Sequence, residues 1–188
     1  MDSDRFFVLT GGPGAGKTTL VEALDAEGFA TTEEAGRGVI REEMEAGGEA
    51  LPWIDRQRFA ERMFEWELSS YRQAEREAGA VFFDRGLPDT LGYLTLEGLP
   101  VPPWMEEEAW RLRYHARVFV APPWREIFGH DEERRQSWQV AVRTYETMVR
   151  TYTDFGYDLV ELPCAPVEQR LAFVLKQAGL VERGQIRE

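Results

Sequence analysis

Lysine is nearly absent: the 188-residue chain has two, Lys17 and Lys176, and a formal net charge of -12. A broad nucleic-acid surface needs clustered basic residues to meet phosphates, so that class of partner is not expected, and only a local basic cleft is left room for. The single cysteine, Cys164, excludes an internal disulfide and any multi-cysteine metal site. It fits a reducing compartment and reads as a small buried side chain after a strand. The two histidines, His115 and His130, have no ligand partner at useful spacing, which excludes a two-histidine metal site and leaves ordinary surface or core roles. No apolar run approaches membrane-spanning length, and Met1-Asp2-Ser3-Asp4 is acidic where a secretion signal would be basic. A cytoplasmic protein without a membrane partner is expected. With no internal repeat or low-complexity segment, the length suits one domain over residues 1–188, large enough to bury a sheet between two helical layers.

Against these absences stands one strong motif. Gly11 to Thr18 reads Gly-Gly-Pro-Gly-Ala-Gly-Lys-Thr and fits the P-loop pattern G-x-x-x-x-G-K-[ST] at every fixed position. The apolar run Phe6 to Leu9 precedes it, and Thr19 to Leu24 follows with helical spacing, which is the strand, loop and helix context that the motif requires. Glycines at 11, 12, 14 and 16 let backbone N–H groups converge on a polyphosphate at a positive helix end. Gly12, Pro13, Gly14, Ala15, Gly16, Lys17, Thr18 and Thr19 are therefore the expected nucleotide-binding residues. Lys17 would reach the β- and γ-phosphates, and the Thr18 hydroxyl would ligate Mg²⁺. ATP is the expected nucleotide, with the preference among purines left open.

Read in order, the chain alternates strands with helices, which implies an α/β fold with a parallel sheet. Strands are expected at 6–10, 29–32, 80–84, 118–120 and 158–161. Helices are expected at about 17–25, where Gly28 supplies a left-handed cap, then at 38–46, and from an Asp55 N-cap to about Ala78. Further helices follow at 104–114, to about Tyr152, and over 167–178. Phe59, Met63, Phe64, Leu68 and Tyr71 mark a core-facing stripe of the long helix. Trp53 and Trp66 are read chiefly as packing, with lining of an acceptor pocket as the alternative.

Two carboxylates narrow the chemistry. Asp84 ends a continuous apolar strand and suits the acidic residue that holds Mg²⁺. The next residue is Arg85, where many hydrolytic P-loop machines place a second carboxylate that activates water; a cation suits an anionic acceptor or the transferring phosphoryl group. Glu34 follows the second strand at the sheet end where ligands bind, and is the candidate general base or anchor of the acceptor hydroxyl, with Asp84 as competitor. Glu33 replaces Glu34 if the strand ends one residue earlier, and Arg37 would face the acceptor. With lysine only at 17 and 176 there is no N-K-x-D element for guanine selection, nor is there a Leu-Ser-Gly-Gly-type transporter signature.

The P-loop at 11–18, Glu34, the Asp84-Arg85 pair and the arginines at 134–135 together resemble the P-loop small-molecule kinases. The chain is most similar to bacterial proteins described as predicted AAA-type ATPases, and more distantly to nicotinamide riboside, deoxynucleoside and thymidylate kinases. That resemblance implies a three-layer P-loop fold with a five-stranded parallel sheet in order 2-3-1-4-5, acceptor-binding helices at about 35–78 and a helical lid at about 124–138. On it, Lys17, Glu34, Asp84, Arg85, Arg134 and Arg135 are the expected catalytic residues. Thr18 and Asp84 would hold Mg²⁺, while Glu34, Arg37 and Arg85 would contact a small-molecule phosphoryl acceptor. Arg85-Gly86-Leu87 departs from the hydroxyl- or tyrosine-containing triplet of nucleoside and thymidylate kinases, so their substrates are not carried over. The alternatives are a slow ATPase and a nucleotide-binding regulatory protein.

Overall fold

The computed structural model describes residues 2–128 and 137–180. After a short 3-10 turn at Asp2–Arg5, the elements are β1 (Phe6–Gly11), α1 (Lys17–Ala26), β2 (Ala30–Thr31), α2 (Ala35–Ala46), α3 (Arg56–Ala74) and β3 (Val81–Asp84). They continue with α4 (Leu87–Leu96), α5 (Pro103–Arg111), β4 (Arg117–Ala121), α6 (Trp138–Asp154), β5 (Asp158–Glu161) and α7 (Val167–Ala178). The strands form one parallel sheet in the order β2-β3-β1-β4-β5.

Side chains alternate across a strand, so β1 feeds two cores. Phe6 and Val8 join Val81, Phe83 and Val118 beneath α2 to α6. Phe7 and Leu9 join Phe82 and Phe119 beneath α1 and α7. Both faces of the central strands are thus covered, which is why these strands read as unbroken apolar runs.

Register fixes what meets at the sheet's C-terminal edge. Leu9 lies opposite Asp84 and Gly11 opposite Ala121, so the loop after β1 emerges between the ends of β3 and β4. The chain leaves β1 for β2 on one side and leaves β3 for β4 on the other side of β1, which makes this edge the topological switch point where α/β sheets bind ligands.

Three expectations are corrected. The long helix ends at Ala74, not near Ala78: Glu75, Arg76 and Glu77 are all exposed, and the Arg5 guanidinium caps the carbonyls of Ala74 and Glu75 at 3.1 and 3.2 Å. The helix expected from Gly38 begins at Ala35. Its low-propensity glycine is retained because a Cβ at Gly38 would lie 2.4 Å from the Trp66 ring, so tertiary packing overrides local preference. Cys164, expected to be buried, is exposed in the turn between β5 and α7.

Candidate active site

The P-loop wraps the N-terminus of α1. Gly16 takes the left-handed conformation at φ 70°, and Gly12 approaches α6 so closely that a Cβ there would meet the Ala141 carbonyl at 2.4 Å. Lys17 opens α1, is 7% exposed, and folds its ammonium back onto the carbonyls of Gly12 and Gly11 at 2.9 and 3.3 Å. Burial, and then the nearby Arg85, lower its pKa to about 8 against the pull of Asp84, Glu34 and Asp89.

Facing this loop is a charge cluster centred on Arg85. Its Nε donates to Glu34 Oε1 at 3.0 Å, and its Nη1 donates to Gly11 O at 3.1 Å and Asp89 Oδ1 at 3.2 Å. The backbone N–H continues the strand ladder onto Leu9 O at 3.0 Å, while φ sits at 78°, a left-handed conformation found at no other non-glycine among the described residues. That conformation costs about 1–2 kcal/mol, which the three charge-assisted contacts offset. Glu34 caps the start of α2 and pairs its other oxygen with Arg37 Nε at 3.2 Å. Burial pushes the Glu34 carboxyl up, but Arg85, Lys17 and Arg37 together outweigh it and hold it at about 2. Glu33, the alternative, is exposed and pairs with Arg41.

Asp84 is 5% exposed and its Oδ1 is buried without a hydrogen-bond partner. Burial raises its pKa, with Lys17 and Arg85 opposing. A buried carboxylate oxygen with no donor suits a hard cation that takes one or two protein oxygens, phosphates and water. Among the described residues no group of three or more His, Cys, Asp or Glu could hold a metal by itself.

Two cavities adjoin here. One, about 240 Å³, lies over residues 13–19. The other, about 300 Å³, lies between α2, α3, α4 and α6 and is lined by Phe59, Met63, Glu67, Asp89 and Tyr93. Pro13, Glu34, Arg37 and Arg85 line both. A larger groove of about 420 Å³ runs beside β2 and contains Trp66 and Glu33 but no P-loop residue. Trp53 is 62% exposed, and neither tryptophan lines the two adjoining cavities.

The structure therefore brings together Lys17, Thr18, Glu34, Arg37, Asp84 and Arg85. Arg134, Arg135 and most of the expected lid lie outside the described residues, as does His130. His115 packs its ring on Phe7 with centroids 4.5 Å apart. Sequence reasoning missed three buried charged side chains. Asp89 accepts from Thr10 Oγ1 at 2.5 Å, Tyr152 Oη at 2.6 Å and Gly86 N at 3.0 Å, in addition to Arg85. Arg170 reaches from α7 to the P-loop carbonyls of Ala15 and Gly16. Glu67 stands within the apolar stripe of α3 at 2% exposure. Gly86-Leu87-Pro88-Asp89, with Pro and Asp in a first helical turn, carried a readable capping signal for Asp89; Glu67 stood four residues from both Met63 and Tyr71 on the core-facing stripe, and Arg170 carried no signal.

The sheet order and P-loop define a P-loop nucleotide-binding domain. A family model described as AAA domain matches residues 6–170, and the chain belongs to that family. Among solved structures it is similar to the NadR protein in complex with NAD and AMP-PNP, with TM-score 0.71 and 20% identity, and to NadR in complex with NR, with TM-score 0.69 and 20% identity. Each match covers 98% of this chain and 52% of the other, so this chain spans about half the length of NadR. It is also similar to deoxyadenosine kinase from M. mycoides, with TM-score 0.65, 14% identity, and coverage of 93% of this chain and 98% of that one. A search of curated proteins returns no significant sequence match. Among the described residues no helix is long and apolar enough to cross a membrane.

Proposed function

We propose that this protein transfers the γ-phosphoryl group of ATP to a small hydroxyl- or phosphate-bearing metabolite. The observation that carries this reading is the shared wall: Glu34, Arg37 and Arg85 border both the P-loop cavity and a second cavity of about 300 Å³, room for a small molecule where hydrolysis would need only water.

In this reading the P-loop amides and Lys17 hold the β- and γ-phosphates. Mg²⁺, held by Thr18 and by Asp84 with its unpartnered Oδ1, would neutralise charge on the phosphate oxygens. Glu34 accepts a hydrogen bond from the acceptor hydroxyl. A carboxylate held at about 2 is a weak base, so its main work is aiming the oxygen, and the hydroxyl proton passes late to this carboxylate and on to solvent, as a loose transition state permits. Arg85 stands beside Glu34 with its charge towards the transferred group. Arg134 and Arg135 are assigned to the phosphates from the chain's resemblance to kinases. The acceptor oxygen forms the new P–O bond, the bond to the β–γ bridging oxygen breaks, and ADP leaves with that electron pair.

The test is a screen with ATP labelled at the γ-phosphate and a library of small metabolites. Label arriving in an acceptor is expected. Label appearing only in free phosphate, whatever acceptor is present, would replace this reading with the slow ATPase.

A further inference from the structure

Glu67 is a carboxylate in a place built for an apolar side chain. It continues the i, i+4 series Phe59, Met63, Glu67, Tyr71 along α3, all four of them buried. Its Oε2 is buried with no hydrogen-bond partner, and no Lys, Arg or His among the described residues pairs with it. Leaving such a group unsatisfied costs more than a typical single substitution in a core, and a structural role would show at least one donor aimed at it. Glu67 also lines the second cavity, whose wall includes Phe59 and Tyr93, packed edge to face with centroids 5.7 Å apart.

We propose that Glu67 recognises the phosphoryl acceptor, pairing its carboxyl group with an amide or amino–imine edge of a planar ring. This rests on the phosphotransferase reading and names the part of the acceptor that the reading leaves open. Phe59, Met63 and Tyr93 supply flat or adaptable apolar contacts for a ring, and Glu34 with Arg85 lines the same cavity where it adjoins the P-loop cavity. Burial, reinforced by Asp89, Asp84 and Glu34 and opposed by Arg85, pushes the Glu67 carboxyl well above the usual carboxylate range and so favours its neutral form. A neutral carboxyl presents one O–H donor beside one carbonyl acceptor, which matches an edge that offers one acceptor and one donor. To a phosphate or carboxylate it offers that single O–H alone, and such an anion would meet Asp89 and Glu97 on the same wall, with Arg37 and Arg85 on the stretch shared with the P-loop cavity. Of the acceptors covered by the wider reading, the cavity therefore favours an uncharged, ring-bearing alcohol over an anionic one.

The experiment measures binding and turnover separately. Protein saturated with AMP-PNP and Mg²⁺ is titrated calorimetrically with cytidine, adenosine and uridine, whose rings carry such edges, and with ribose and ribose 5-phosphate, which lack them. The same five compounds are then offered with ATP. Edge-bearing ribosides are expected to bind at least tenfold more tightly than ribose, with ribose 5-phosphate weakest. Glu67→Gln should raise KM about tenfold with kcat changed less than threefold, and Glu67→Met should abolish the preference for edge-bearing compounds while raising the melting temperature. A purely structural Glu67 would instead lower the melting temperature and leave the preference intact. Either that pattern or the absence of binding by every edge-bearing probe overturns the proposal. Binding that depends on Glu67 without any phosphoryl transfer would uphold it and overturn the phosphotransferase reading alone.

Discussion

Arg170, in the last helix, donates from Nη1 to the carbonyls of Ala15 and Gly16 at 2.9 and 3.1 Å, binding the end of the fold to the nucleotide loop 155 residues earlier. The side chain is 3% exposed and has no carboxylate partner among the described residues, so its charge is spent on backbone dipoles. These contacts hold the carbonyls back while the loop's N–H groups face the nucleotide cavity. Arg170→Met, which keeps the apolar stem, is expected to weaken ATP-analogue binding about tenfold and to destabilise the fold by about 2 kcal/mol. Calorimetric titration and urea unfolding measure the two; an unchanged affinity would mean the loop needs no such support.

Arg85→Lys should separate catalysis from binding. Lysine cannot reproduce a fork that serves Glu34, Gly11 and Asp89 together, and it inherits the left-handed backbone without the contacts that offset it. Turnover is expected to fall at least about a hundredfold, on the scale of losing a charge-stabilising donor, while nucleotide affinity changes less than about threefold. Single-turnover kinetics with labelled ATP would read the loss.

Lys17 makes nucleotide binding pH-dependent. With its pKa lowered to about 8, the free protein holds roughly half a proton there at pH 8, and the polyphosphate's negative charge favours the ammonium form. Binding should therefore take up about half a proton at pH 8 and almost none at pH 6.5. Affinity should fall by up to about tenfold per pH unit above 8. Because the folded pKa lies below the ordinary 10.5, the ligand-free protein gains stability from this group as pH rises from about 8 towards 10.5. Titrations in Tris and HEPES, which differ in ionisation heat, would reveal the proton; equal binding enthalpies in both at pH 8 would refute it.

Asp89→Asn is expected to be costly despite its conservative shape. Both carboxylate oxygens face donors, Arg85 and Thr10 on one and Gly86 and Tyr152 on the other, so an amide N–H₂ meets a donor whichever way it points. A loss of about 3 kcal/mol is expected from breaking this buried network, measured by urea unfolding, with Arg85 disordered enough to reduce turnover as well.

What could be read ahead of the structure was local. The P-loop, the alternation of strands and helices, Asp84 at a strand end and Glu34 just after another strand are each written within a dozen neighbouring residues. Arg170 acts across the fold, and nothing beside it in the chain distinguishes it from a surface arginine on a helix, whereas Glu67 stands on the stripe of Phe59, Met63 and Tyr71, a position that residue type alone argued against reading as buried. Helix boundaries failed where distant atoms decided them, as when Trp66 required Gly38 inside α2 and Arg5 capped α3 at Ala74. Cys164 was misplaced because residue type alone argues for burial, whereas the turn after Pro163 turns it outward.

The separation of the two cores has a consequence for how such a protein can diversify. The apolar residues behind the P-loop helix belong to the cluster shared by α1 and α7, while Phe59, Met63 and the rest of the second cavity's apolar wall draw on the opposite cluster. Substitutions on α2, α3 and α4 can reshape that cavity without repacking the layer that backs the nucleotide loop. One nucleotide loop can then be inherited unchanged while the second cavity takes different occupants, with Arg85 as the joint where the two histories must stay compatible.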